Sequence, residues 1–163
     1  FLLTDMMTGM FDATLSDYSP ATGLSIRPKI THTYAGKSGT TETDQWMIGY
    51  SPTLTAGVWN GYDKDKLLTN QTDLAATKRI WIDFMESALA GTKKQTFEVP
   101  DGVEGVLIDI ETGKLATDLC EKQRFVYVKS EDVPTEKCLT FEFFNKSLWE
   151  GMLDLIPFQS WFR

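Results

Sequence analysis

The chain carries a single histidine, His32, and two cysteines, Cys120 and Cys138, among its 163 residues. A centre built on nitrogen and sulfur ligands needs more donors than these, so neither a metal nor a cofactor is expected. Positive charge is also scarce, with 16 Lys and Arg against 23 Asp and Glu and a net charge of −7. That balance argues against a nucleic-acid partner, whose phosphates call for a basic surface. No run approaches the length of about 18 consecutive apolar residues that marks a membrane-spanning helix. The opening residues, Phe1 to Met7, lack the basic flank and the length of a signal peptide. They read instead as the interior of a helix entered mid-domain, with Leu2, Leu3, Met6, Met7 and Met10 at helical spacing. The rest is ordinary globular composition, 42% hydrophobic and 24% charged.

The most informative stretch is Lys37-Ser38-Gly39-Thr40-Thr41, followed by two aromatic strand patterns, Asp44-Gln45-Trp46-Met47-Ile48-Gly49-Tyr50 and Gly57-Val58-Trp59-Asn60-Gly61-Tyr62-Asp63. On an extended strand Lys37 and Gly39 point to one face and Ser38 and Thr40 to the other. Gly39 lets another backbone approach closely. A free Thr40 N–H could then stabilise an oxyanion, an effect worth about 3–4 kcal/mol per donor in hydrolases. The pattern reads as one wall of an acyl-transfer site.

Two other readings compete. Gly36-Lys37-Ser38 matches the end of a phosphate loop, but Thr31 stands where that loop needs glycine, and threonine-rich, strand-forming sequence follows where it needs a helix. A polar hairpin without chemistry stays open from the five residues alone.

The longer order of motifs narrows the choice. Tyr34-Ala35-Gly36-Lys37-Ser38-Gly39-Thr40-Thr41, Asp44 to Pro52, Val58 to Asp63, Ala75-Ala76 and Ile80-Trp81-Ile82-Asp83-Phe84-Met85 together resemble the transpeptidase domain of class A penicillin-binding proteins. The resemblance covers Phe1 to about Ala90 well and the tail more loosely. It implies that Lys37, Ser38 and Gly39 form the third active-site motif and that the Thr40 N–H completes the oxyanion hole. Lys37 and Thr40 are thereby expected to be catalytic, and Ser38, Gly39, Thr40 and Thr41 to bind substrate. The hydroxyls of Ser38 and Thr40 would hold the carboxylate of a D-Ala-D-Ala stem peptide or of a β-lactam. Ser38 stands where many relatives have threonine, which keeps the hydroxyl.

The same resemblance calls for S-x-x-K, which supplies the nucleophile, and for S-x-N. No serine of this chain has lysine three positions on or asparagine two positions on. Ser25 and Lys29 come nearest but are four apart and separated by Pro28. The implied partner is therefore a segment carrying both motifs, belonging to the same parent protein.

The elements expected are a helix from the start, a long loop over Phe11 to Pro28, and three antiparallel strands over Thr31 to Thr43, Asp44 to Ser51 and Leu54 to Tyr62. Trp46 and Trp59 would pack in the core or line a cleft wall, and His32 would be a strand residue without catalytic duty. A helix is expected from Leu74 to Ala90, capped by Asp73 and stopped by Gly91, with Ala76, Ile80, Trp81, Phe84, Met85 and Leu89 facing the strands. Asp83 and Glu86 read as its solvated face. Beyond Gly91, Val106 to Ile110 and Leu115-Ala116 read as a hairpin about Glu111 to Lys114, and Arg124 to Val128 as a further strand. The resemblance places the family outside the cell, where Cys120 and Cys138 would form a disulfide. Asn145 would cap a last helix in an aromatic terminus.

The fold expected is α+β: an antiparallel sheet flanked by helices, similar to penicillin-binding proteins and serine β-lactamases and incomplete in this chain, with a β-rich C-terminal extension. The division is residues 1–91 for the C-terminal part of the transpeptidase domain and 92–163 for the extension. The function implied is a serine-type D,D-transpeptidase of peptidoglycan, in a parent that would also carry a glycosyltransferase domain. It would lie on the extracellular face of the bacterial membrane, anchored through another segment. The alternative is a binding module that kept the fold and lost its serine.

Overall fold

A computed structural model of the chain describes residues 1–16, 19–62, 66–69 and 71–138. The chain divides into two compact units, Phe1–Pro100 and Asp101–Arg163. The expected terminal helix from Asn145 lies outside the described residues.

The first unit opens with α1, Leu2–Thr8, and continues through short 3-10 turns at Gly9–Phe11, Ala13–Leu15 and Leu24–Lys29. Phe11 and Ile26, in the stretch expected to be a loop, are both buried. Three strands follow, β1 (Ala35–Thr40), β2 (Asp44–Tyr50) and β3 (Thr55–Gly61), paired antiparallel in that order. The first begins at Ala35 rather than Thr31, because the polar groups of Thr31 and Tyr34 are bonded to a helix instead of a neighbouring strand. The sheet presents two unlike faces. Met47 and Gln45 of β2 are buried, while Trp46 and Ile48, one residue out of phase, are about half exposed. Trp46 stands opposite Trp59 and opposite Gly39, so both tryptophans lie on the open face and not in the core.

The buried face packs on α2, Gln71–Ala88. This helix starts three residues before the sequence expectation, so Asp73 lies within it instead of capping it. Its end agrees with the glycine signal: Thr92 N–H closes on Leu89 O at 3.0 Å, and Gly91 has φ of 75°, a left-handed conformation that favours glycine. The stripe that meets the sheet is Thr77, Trp81, Ile82, Met85 and Leu89; Ile80 and Phe84, expected on it, are about half exposed. Residues 77, 81 and 85 recur at four-residue spacing, and Ile80 and Phe84 fall to one side of that row.

Trp81 anchors the core. Its ring is wholly buried, stacked with Phe11 at 6.0 Å and edge-on to Tyr34 at 5.3 Å. Its indole N–H donates to Ala56 O at 3.1 Å, which answers the polar end of a buried aromatic. Gly49 makes room for it: a Cβ there would lie 2.4 Å from the indole. The unit runs past Gly91 to Pro100, and Phe97 packs edge-on against Tyr50 at 5.6 Å.

The second unit pairs β4, Val103–Asp109, with β5, Gln123–Lys129, antiparallel. The turn after Asp109 forms, with Asp109 N–H donating to Lys114 O at 2.9 Å. Leu115 bridges Ile108 antiparallel and Ala116 N–H donates to Leu107 O at 2.8 Å, so the expected hairpin forms as a short pairing on one edge of β4 while β5 pairs along the other. Cys120 and Cys138 are joined by a disulfide and both are buried. The architecture is α+β with antiparallel sheets. Among the described residues no helix is long and apolar enough to cross a membrane.

Candidate active-site strand

Strand β1 forms one edge of its sheet among the described residues. Which of its backbone groups face that edge follows from one hydrogen bond. Thr41 N–H donates to Asp44 O at 2.9 Å, in line with the register that sets Thr40 opposite Gln45. Hydrogen-bonded and non-bonded pairs alternate along an antiparallel ladder. The N–H and C=O groups of Lys37, Gly39 and Thr41 therefore point toward β2, and those of Ser38 and Thr40 point away from it. The Ser38 carbonyl accepts the Lys37 ammonium at 2.7 Å, as a carbonyl outside the ladder can.

The side chains divide between the two faces. Ser38 and Thr40 stand opposite Met47 and Gln45, on the side that α2 covers; Lys37 and Gly39 stand opposite Ile48 and Trp46, on the open side. Thr77 of α2 donates its hydroxyl to Gln45 Oε1 at 3.3 Å, fixing the floor beneath Thr40. Gly39 has open space where a side chain would be, the nearest atom being Trp46 Cβ at 3.8 Å. Thr41 closes the turn: its hydroxyl accepts Asp44 N–H at 3.0 Å and Thr43 N–H at 3.2 Å.

Two charged residues of α2 take part, and sequence reasoning missed both. Glu86, expected to be solvated, accepts Thr31 N–H at 2.9 Å, the Thr31 hydroxyl at 2.5 Å and the Tyr34 hydroxyl at 2.9 Å. Burial pushes its carboxyl up, but those bonds and the nearby His32 outweigh burial, and it titrates below the usual glutamate range. Burial, and after it the same contact, push the Tyr34 phenol well above its usual range. Asp83, its supposed companion, pairs with Lys29 at 2.5 Å on the surface. His32 lies ahead of the strand, not in it; its Nδ1 sits 3.0 Å from the Thr31 hydroxyl and 3.6 Å from Glu86. Lys78 donates to Thr22 O at 2.6 Å, and Ser38 donates its hydroxyl to Thr22 Oγ1 at 3.2 Å. Burial and the charge of Lys37 lower the Lys78 ammonium below the usual lysine range.

A signal for these two residues is present in the helix. Lys78, Ile82 and Glu86 are spaced by four, and Ile82 is wholly buried. Charged residues on both sides of a buried position in one row border the packed face instead of the solvent.

The chain is similar to several known proteins. The family model described as "Penicillin-binding protein 1A, C-terminal domain" matches residues 99–143. Penicillin-binding protein 2D of Bacillus subtilis is 46% identical over 138 residues, which is 85% of this chain and 20% of that protein. Penicillin-binding protein 1A of Rickettsia typhi is 33% identical over 121 residues, covering 72% of this chain and 14% of that protein. The crystal structure of Penicillin-Binding Protein 1A from Haemophilus influenzae shares the fold with a TM-score of 0.67 at 23% identity, over 83% of this chain and 20% of that one. The chain thus spans about a fifth or less of the length of these relatives.

Proposed function

Because this chain belongs to the class A penicillin-binding proteins, in their C-terminal region, we propose that it supplies one strand of a peptidoglycan D,D-transpeptidase site whose serine comes from another segment of the parent. The observation that carries the reading is the edge of β1, where Thr40 N–H points away from β2 beside a glycine with open space. An extended peptide ending in D-Ala-D-Ala would add to that edge as a further strand. Thr40 N–H would then donate to the carbonyl oxygen as negative charge develops on it.

In this reading the serine oxygen attacks the carbonyl of the penultimate D-alanine, the terminal D-alanine leaves with a proton, and an ester forms. An amine of a neighbouring strand then attacks the ester and the serine regains its proton. Lys37 contributes positive field beside the oxyanion and bonds the serine of S-x-N. Ser38 and Thr40 hold the carboxylate of the donor, and Thr41 closes the turn that ends the strand. The half-exposed Trp46, Ile48 and Trp59 form an apolar face beside Lys37. That face would seat the serine-bearing segment. The parent would be anchored at the extracellular face of the membrane.

The test is labelling of the whole parent protein by a fluorescent penicillin. The label is expected on the serine-bearing segment. Lys37→Ala and Gly39→Trp are expected to slow labelling by roughly 10–100-fold, the equivalent of about 1.4–2.7 kcal/mol of lost transition-state stabilisation, with no loss of folded structure by circular dichroism. Labelling that survives both changes removes the strand from the site. A parent that takes no label at all favours the binding-module reading, which the lack of S-x-x-K here keeps open.

A further inference from the structure

Thr22 sits at the centre of a short chain of contacts. Its hydroxyl accepts that of Ser38 at 3.2 Å, and its carbonyl accepts the Lys78 ammonium at 2.6 Å. An ammonium carries three N–H donors, and this bond uses one of them. Lys78 rises from α2, which covers the face of the sheet that bears Ser38 and Thr40. Thr22 is exposed and Ser38 and Lys78 are half-buried, so each of the three keeps surface open to solvent. The Lys37 ammonium donates to Ser38 O at 2.7 Å, which sets a second cation at the edge of the same strand. Among the described residues neither ammonium is ion-paired with a carboxylate. The fold thus holds the Lys78 ammonium beside the Thr22 and Ser38 hydroxyls, with the Lys37 ammonium at the strand edge, an arrangement that suits an anion.

From this geometry we infer that Lys78 is a specificity residue for acyl donors with a free carboxylate, acting with Thr22 beside Ser38. The inference rests on the proposal that Ser38 and Thr40 receive that carboxylate. It adds a charge from α2, distinct from the strand motif, and it assigns Thr22 as the hydroxyl that meets the ligand from the loop side. A neutral donor gains nothing from Lys78, so the residue acts on the choice of ligand and not on the acylation step.

The test compares acylation of the whole parent protein by benzylpenicillin and by its methyl ester, in which the carboxylate is masked. Lys78→Gln is expected to lower the rate constant for the acid about tenfold and to leave that for the ester unchanged. Lys78→Arg is expected to restore the preference for the acid. Should Lys78→Gln fail to fold, Lys78→Met, which keeps the apolar stem and removes the charge, gives the same comparison. An equal loss on acid and ester makes Lys78 an anchor for the Thr22 loop and overturns the inference, as does no loss on either. Ser38→Ala separates the two layers of the argument. If it erases the acid preference while Lys78→Gln does not, only the role of Lys78 fails; if it also leaves the preference intact, the carboxylate site itself is misplaced.

Discussion

The Glu86 carboxylate accepts the Tyr34 hydroxyl at 2.9 Å, joining the last turns of α2 to the residue immediately before β1. Thr31 adds its N–H and its hydroxyl to the same carboxylate. One side chain therefore holds both ends of the four-residue segment that leads into β1. The ring of Tyr34 in turn packs edge-on against Trp81, so the polar clamp and the apolar core meet at one residue.

Removing this carboxylate should loosen the start of β1. Hydrogen bonds to charged groups contribute about 1.5–3 kcal/mol each and do not add simply, so Glu86→Ala is expected to cost about 2–4 kcal/mol, and Glu86→Gln less, in denaturant unfolding. Acid should act in the same direction. The folded carboxyl titrates below its ordinary value of 4.5, so its contribution is complete above about pH 4.5 and is lost as pH falls through the lowered value. Tyr34 is shifted upward from 10.0, so its contribution is complete below pH 10 and disappears only in stronger alkali. The difference in stability between wild type and Glu86→Gln should therefore shrink on acidification below about pH 4.5. A difference that stays constant to pH 3 would show that the clamp does not depend on the charge of Glu86.

The strand was legible because its information is local. Lys37 to Thr41 fall within five residues, and the alternation of β2, with Gln45 and Met47 buried and Trp46 and Ile48 exposed, has a period of two. Glu86 was misread because its partners, Thr31 and Tyr34, lie 55 and 52 residues away, and a helical pattern does not name them. Ile80 and Phe84 were misread for a related reason. Hydrophobicity suggests a wide stripe, but the space between helix and sheet admits only the row that includes Trp81. The hairpin about Glu111 to Lys114 was legible in its turn residues and forms as the short pairing of Ile108 with Leu115, whereas the pairing of β4 with Gln123–Lys129 joins two strands that no turn signal links.

The contact between Gly49 and Trp81 sets a second expectation. A methyl group at Gly49 would come within 2.4 Å of the indole and 3.1 Å of Ala35 O. The indole is wholly buried and held by its bond to Ala56, so it cannot retreat cheaply. Gly49→Ala is expected to destabilise the protein by about 1–3 kcal/mol, the usual cost of overpacking. Gly57→Ala is the control, since a Cβ there meets only Ile48 Cγ1 at an ordinary 3.6 Å, and its unfolding midpoint should stay near wild type. Equal effects at both positions would show that strand propensity, and not the fit of Trp81, governs the sheet.

The disulfide gives the last expectation. Cys120 and Cys138 are 18 residues apart, and closing a loop of that size restricts the unfolded chain by about 3 kcal/mol on the chain-entropy model. The bridge lies in a unit whose described sheet has two strands, a size that rarely stands by apolar burial alone. Both cysteines are tied to Thr117: its N–H donates to Cys120 Sγ at 3.0 Å, and its hydroxyl donates to the Cys138 carbonyl at 3.2 Å. Reduction should therefore speed amide exchange across Val103–Asp109 and Gln123–Lys129. Lys37, Ser38 and Thr40 lie in the other unit, so penicillin acylation of the parent should change little under the same reductant. Exchange in β4 and β5 that is unaffected by reduction would remove the bridge from the stability of the unit. Acylation that collapses would show that the second unit braces the first.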